Sequence, residues 1–144
     1  MADHLRKQIR EAVVTALQGG ALLASRVYEG GSRPVEEEDL PLCLVYTKEE
    51  EAELLTATRQ RRLLQLSLRF YVIGGTPVDD LDALCAFAVE RIGATALGGL
   101  IKWIYETGTV IDLEEEGHKP AGSATMNWLV EYHTDVTDAT VVLD

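Results

Sequence analysis

Leu63-Leu64-Gln65-Leu66-Ser67-Leu68-Arg69-Phe70-Tyr71-Val72-Ile73 decides the architecture. Leu64, Leu66, Leu68, Phe70 and Val72 fall on every second position, with Gln65, Ser67 and Arg69 between them. Successive side chains of a strand point to opposite faces, so this run gives one apolar and one polar face. A sheet that packs on one side only needs this alternation. Gly74-Gly75 closes the strand.

Towards the C-terminus a helix opens at once. Thr76 can cap it, Pro77 suits its first turn, and Asp79 is placed to reach back to the cap. Leu81, Leu84, Cys85, Ala88, Val89 and Ile92 recur at helical spacing as its buried stripe, and Gly93 is a natural stop. A long hairpin follows. Ile101, Trp103, Tyr105, Ile111 and Leu113 are read on one face, with Thr107 and Thr109 keeping the register past Gly108. Glu114 to Gly122 connects to a return strand, because Gly117 and Pro120 are poor strand residues. That strand sets Ala124, Met126, Trp128, Val130 and Tyr132 on one face. Residues 136–144 read as a frayed end or a short flexible arm.

Towards the N-terminus, Leu42 to Tyr46 is apolar enough for a central strand. A polar loop from Gly30 to Asp39 separates it from a short strand at Arg26-Val27-Tyr28. Before that, Leu5, Ile9, Ala12, Val13, Ala16 and Leu17 mark one face of a helix. Asp3 is its expected cap and Gly19-Gly20 its end. Residues 47–62 fit neither period. This polar excursion, acidic first and basic last, is expected to be mobile or weakly helical.

The element order is α-β-β-β-α-β-β. Such an order implies an α+β fold, a mostly antiparallel sheet of about five strands with two helices packed on one face. The 144 residues form one domain, 1–144, large enough for its own core. No apolar run approaches the length of a bilayer span, and the N-terminus lacks the apolar centre of a signal peptide. Cys43 and Cys85 both fall among apolar residues and are expected as free thiols in a reducing cytosol. The formal net charge of −11 works against general binding to nucleic acid, whose phosphates attract Lys and Arg.

The motifs of common chemistry do not form. His4, His118 and His133 are scattered, with no ligand at a metal-binding spacing. Gly98-Gly99 leads into Leu100-Ile101-Lys102, which is not a phosphate loop. Ser25, Ser32, Ser67 and Ser123 lie in no nucleophile elbow. Trp103 and Trp128 fall on apolar strand faces and are expected in the core. No catalytic residue, cofactor site or metal site is assigned. The excursion carries the one suggestive pattern. Glu49, Glu50 and Glu51 precede Arg59, Arg61 and Arg62. The two groups can neutralise one another, or the bases can meet acids on the next copy as a head-to-tail subunit interface.

The order of elements resembles that of phage tail terminator proteins, the minor tail protein U type. The likeness rests on the capped first helix and on Ser25-Arg26-Val27-Tyr28. It continues through the Leu-Pro step of Asp39-Leu40-Pro41-Leu42-Cys43-Leu44-Val45-Tyr46, the alternating strand Leu63 to Ile73 and the turn Thr76-Pro77-Val78-Asp79-Asp80-Leu81. The aromatic strand Trp128-Leu129-Val130-Glu131-Tyr132-His133-Thr134 completes it. The resemblance implies a structural virion protein and no enzyme. Its subunits would be monomers in free solution, made in the host bacterial cytoplasm, that form six-fold rings on the tail. The ring would stop growth of the tube, contact the tube protein and the head-side connector, and let DNA pass through its lumen unbound. Two further readings stand beside it: another tail or neck component, such as a tube subunit or head-completion protein, and a small α+β ligand-binding domain or enzyme.

Overall fold

The computed structural model describes residues 3–30, 40–93, 97–114 and 119–143. The chain folds as α1 (Leu5–Leu17), β1 (Val27–Glu29), β2 (Leu42–Leu54), β3 (Arg59–Ile73), α2 (Pro77–Gly93), β4 (Trp103–Glu114), β5 (Ala121–Asp135) and β6 (Asp138–Val142). A short 3-10 turn at Leu97–Gly99 precedes β4. The strands make one mixed sheet in the order β1-β2-β3-β5-β4, with β6 paired to β5. Only β1 runs parallel to its neighbour, and the other pairings are antiparallel. The architecture is α+β, as the order of elements implies, with a sixth strand.

Both helices pack on one face of the sheet. Leu5, Ile9, Val13 and Leu17 of α1 and Leu81, Leu84, Ala88 and Ile92 of α2 share a core with Leu64, Leu66, Leu68, Phe70 and Val72 of β3 and with Ala124, Met126, Trp128, Val130 and Tyr132 of β5. Both alternations therefore read correctly. Val89 does not belong to the stripe and stands exposed. Gly20, in the turn after α1, makes room for the Phe87 ring of α2, because a methyl group there would lie 2.5 Å from that ring. Gly74 and Gly75 carry positive φ in the β3–α2 turn, a conformation costly to any other residue.

Four expectations change. First, 47–62 is not a mobile or helical excursion. It is the far end of the β2–β3 hairpin, whose pairing runs through Glu50↔Leu64, Glu51↔Leu63, Ala52↔Arg62, Glu53↔Arg61 and Leu54↔Gln60 after a bulge between Thr47 and Glu50. Cross-strand pairing of acids with bases substitutes here for an apolar face. The turn is held by Thr56 Oγ1, which accepts from the Thr58 and Arg59 amides at 3.3 and 3.1 Å. Second, residues 136–143 are no flexible arm. Val136 N–H donates to the Thr58 carbonyl, Leu143 N–H to the His133 carbonyl, and Gln8 Nε2 of α1 to the Thr140 carbonyl at 2.9 Å.

Third, β4 does not keep one face. Thr107 is an extra residue between Glu106↔Trp128 and Gly108↔Asn127. A bulge of one residue reverses the facing of everything beyond it. Ile104, Ile111 and Leu113 therefore lie on the helix side of the sheet, and Trp103 and Tyr105 on the opposite side. Trp128 is a core residue as expected, but Trp103 is 38% exposed and stacks on Tyr105 with ring centroids 5.0 Å apart. Fourth, the cap of α1 is His4, whose Nδ1 accepts from Arg6 N–H at 3.0 Å. Asp3 instead faces Lys7 across one helical turn. The polar loop at 31–39, His118 and much of the β4–β5 connection lie outside the described residues.

Candidate assembly surface

The residues singled out in the acidic-to-basic run do not act alike once folded. The Thr47 bulge rotates Glu50 to the helix side of β2, where its side chain is 5% exposed. There its carboxylate accepts from Arg6 Nη1 at 3.1 Å and Arg62 Nη1 at 3.2 Å, and from the Tyr132 hydroxyl in a short contact. Arg62 spends its other nitrogens within the chain, Nε on Thr134 Oγ1 at 3.0 Å and Nη2 on Gln60 Oε1 at 3.2 Å. Glu50 and Arg62 are therefore the inner pair of a polar network that joins α1, β2, β3 and β5. For these two residues, neutralisation within the chain is the reading the contacts favour.

Arg59 and Arg61 lie on the other face, beside β5. Arg59 Nε donates to His133 Nδ1 at 3.0 Å. With Nδ1 accepting, His133 carries its proton on Nε2, which lies 2.9 Å from Glu131 Oε2 and donates to it. Arg61 pairs with Glu53 across the hairpin and, at 3.9 Å, with Glu131. Glu49 and Glu51 are exposed, as is every residue from Glu51 to Thr58, including Leu54 and Leu55 at the tip. The outward part of the expected interface is thus Glu49, Glu51, Arg59 and Arg61.

A groove of about 470 Å³ lies beside this hairpin, lined by His4, Arg6, Lys7, Arg10, Thr47, Lys48, Glu49, Glu50 and Leu64. Four of its residues are Arg or Lys and two are Glu, a positive spot on a protein of net charge −11. Three of its cations, Arg6, Lys7 and Arg10, are tied down. Arg10 Nε meets Glu29 at 2.8 Å and its Nη1 meets Thr47, and Lys7 lies near Asp3 and Glu11. Partial burial, then the Arg6 charge, lower the pKa of His4 against the pull of Glu50, which suits its neutral role as cap. The bulge that turns Glu50 inwards carries no signature in a run of consecutive acids, so sequence reasoning did not separate Glu50 from its neighbours.

Burial pushes the Cys43 thiol far above its ordinary value, and burial followed by the Glu106 and Asp82 charges pushes Cys85 up to about 11. Neither is a thiolate at neutral pH, so neither is a ready nucleophile. Both are free, as expected. Among the described residues no three His, Cys, Asp or Glu side chains gather where they could hold a metal ion. No described helix is long and apolar enough to cross a membrane.

Tyr132 provides a pH test of the network. Burial, then its hydrogen bond to Glu50, raise its pKa well above the ordinary 10.0. The unfolded chain ionises this phenol near that value, while the folded chain keeps it neutral. The contribution is complete below about pH 10 and is lost as the pH climbs beyond it, because ionisation then favours the unfolded chain. Urea midpoints measured from about pH 8 to about pH 11 should fall more steeply for the wild type than for Tyr132→Phe. Parallel curves would show that the phenol is not held neutral. Comparison with known protein families and with curated proteins returned no match to this sequence.

Proposed function

We propose that this chain is a ring-forming tail terminator. It caps the phage tail tube, ends its polymerisation and presents the surface to which the head attaches. The observation that carries the reading is the architecture: the order α-β-β-β-α-β-β on one sheet, taken with the terminator-like motifs along the chain. A projecting, charged hairpin adds to it. In this reading the virion tail is the place of action. The partners are other copies of the chain in a six-membered ring, the tube protein and the head-side connector. Acids facing the lumen keep passing DNA from adhering.

The outward hairpin residues Glu49, Glu51, Arg59 and Arg61 are the proposed ring contacts. Arg62 is left out, since Arg62→Glu would set a second carboxylate against Glu50. The test is negative-stain microscopy of the concentrated protein, alone and mixed with tail tubes. Discrete rings and capped tubes are expected for the wild type, whereas a tube subunit would grow open-ended tubes. Arg59→Gln with Arg61→Gln, which removes the charges without setting new carboxylates against Glu53 and Glu131, should lower ring formation and capping severalfold while the melting temperature falls only modestly, since ion pairs open to solvent contribute about 1 kcal/mol or less. Undiminished capping by that variant would remove the hairpin from the interface.

A further inference from the structure

The sheet ends in a strand that is poorly defended. β4 is the last strand of the order, hydrogen-bonded to β5 on one side. Among the described residues nothing pairs with its other side. Twelve large apolar side chains stand exposed among those residues, and five of them are Trp103, Tyr105, Val110, Ile111 and Leu113 of this strand. A long, apolar, unpaired edge is a template for another strand. Its charges, Lys102 at one end and Glu106, Asp112 and Glu114 beyond, leave Trp103 to Tyr105 and Thr107 to Ile111 without any.

We propose that β4 pairs antiparallel with β4 of a second copy, about a two-fold axis perpendicular to the sheet. Such an axis keeps the helices of both copies on the same side, so each residue must meet one that faces the same way. Before the Thr107 bulge the helix side takes Ile104 and Glu106, and after it Thr109, Ile111 and Leu113. Opposed residue numbers must therefore sum to an odd value. The register summing to 215 satisfies this along the whole strand. It sets Trp103 against Asp112, Ile104 against Ile111, Tyr105 against Val110 and Glu106 against Thr109. The axis passes between Thr107 and Gly108, so the bulged residue of each copy meets the glycine of the other. A Cβ built on Gly108 finds no atom within 4 Å, which leaves room for the threonine. No acid faces an acid.

Among the described residues the other long open edge is the far half of β2, since β1 covers only Cys43 to Val45; the free edges of β1 and β6 belong to strands of three and five residues. It carries Glu49, Glu50, Glu51 and Glu53, and would bring these against Glu106, Asp112 and Glu114 of β4. Like charges opposed across strands disfavour pairing. Charge thus disfavours β2 as the partner, the short β1 and β6 can pair with only a fraction of β4, and a second β4 matches its full length of twelve residues. A strand of this length presents an edge about 40 Å long and about 10 Å deep, roughly 400 Å² a side and about half of what a standard stable interface buries. The pairing is reversible and fills with concentration.

This inference does not depend on the tail-terminator reading, and mass separates the two: a dimer from this contact, a hexamer from the ring. Sedimentation equilibrium from about 1 to about 500 µM should show the 15.8 kDa chain passing from monomer towards dimer, as a weak interface requires. Val110→Lys and Tyr105→Lys, both at exposed positions, should each keep the wild-type melting temperature and shift the midpoint at least tenfold upward. Mixing Tyr105→Cys with Val110→Cys protein under mild oxidation should give disulfide-linked heterodimers well above either variant alone, which reads the register. A chain monomeric throughout, or a dimer indifferent to both lysines, would overturn the proposal. Cross-linking no better in the mixture than in either variant alone would overturn the register.

Discussion

Phe70→Asp should yield no folded protein. Phe70 is fully buried in β3, the strand that pairs with both β2 and β5, with Cys43 on one side and Ala124 on the other. An aspartate there would be an ionised group among apolar side chains with no partner, at a cost of several kcal/mol. That compares with a total stability of about 5–15 kcal/mol for a domain. The milder Phe70→Ala isolates the packing contribution. A buried Phe→Ala change costs about 3–5 kcal/mol, which for a chain of this size lowers the melting temperature by about 10–15 °C. Gln65→Asp, an exposed position on the same strand, should move it by no more than about 2 °C. Circular dichroism melts of the three variants decide the matter. A Phe70→Ala protein that melts with the wild type would mean that the alternating face of β3 is not the core.

Glu50→Ala should be the most damaging change at any acidic residue described. The carboxylate meets two guanidinium groups and a buried hydroxyl. Its removal leaves Arg62, 16% exposed, beside an unpartnered Tyr132 hydroxyl, while Arg6, 43% exposed, turns to water. Removing one partner of a fully buried pair costs about 3–5 kcal/mol. Solvent around Arg6 reduces this to about 2–3 kcal/mol. Glu50→Gln keeps one acceptor oxygen for the two arginines, while its amide nitrogen can donate to the Tyr132 hydroxyl oxygen, and should lose about half as much. Because the residues form one network, Glu50→Ala combined with Tyr132→Phe should cost less than the two changes added. Glu49→Ala and Glu51→Ala, one residue to either side, should each change the urea midpoint hardly at all. Equal effects at all three positions would show that the bulge does not turn Glu50 inwards.

Most of the architecture was legible in the sequence because its core strands show their pattern openly. β3 and β5 carry an apolar residue at every second position, Leu64 to Val72 and Ala124 to Tyr132, and α1 and α2 repeat their apolar residues at helical spacing. The far half of the β2–β3 hairpin was not legible, for two reasons. Lys48-Glu49-Glu50-Glu51-Ala52-Glu53-Leu54-Leu55 is rich in residues that favour helices, and its strand state is decided by what lies opposite. That opposing run, Arg59-Gln60-Arg61-Arg62, was the available signal, since acids and bases at equal distance from Thr56-Ala57-Thr58 are what a hairpin needs. The face of β4 was misread because Thr107 adds one residue and reverses everything beyond it, and no composition rule marks where a bulge falls. The residues proposed as an interface are divided by the geometry, with Glu50 and Arg62 paired inside the chain and Glu49, Glu51, Arg59 and Arg61 on its outer parts.

The position of β5 in the sheet has a temporal consequence. Its residues, 121–135, sit between β3 and β4, so its long partner Arg59–Ile73 waits through the synthesis of some fifty residues for its second neighbour. Until then the nascent chain holds β3 with one unsatisfied margin and a half-covered apolar layer. Contacts so distant along the chain close slowly, and chains leaving the ribosome at about 5–20 residues per second spend seconds in that incomplete state. The interval before β5 emerges is therefore when the free margin of β3 is most open to wrong pairing.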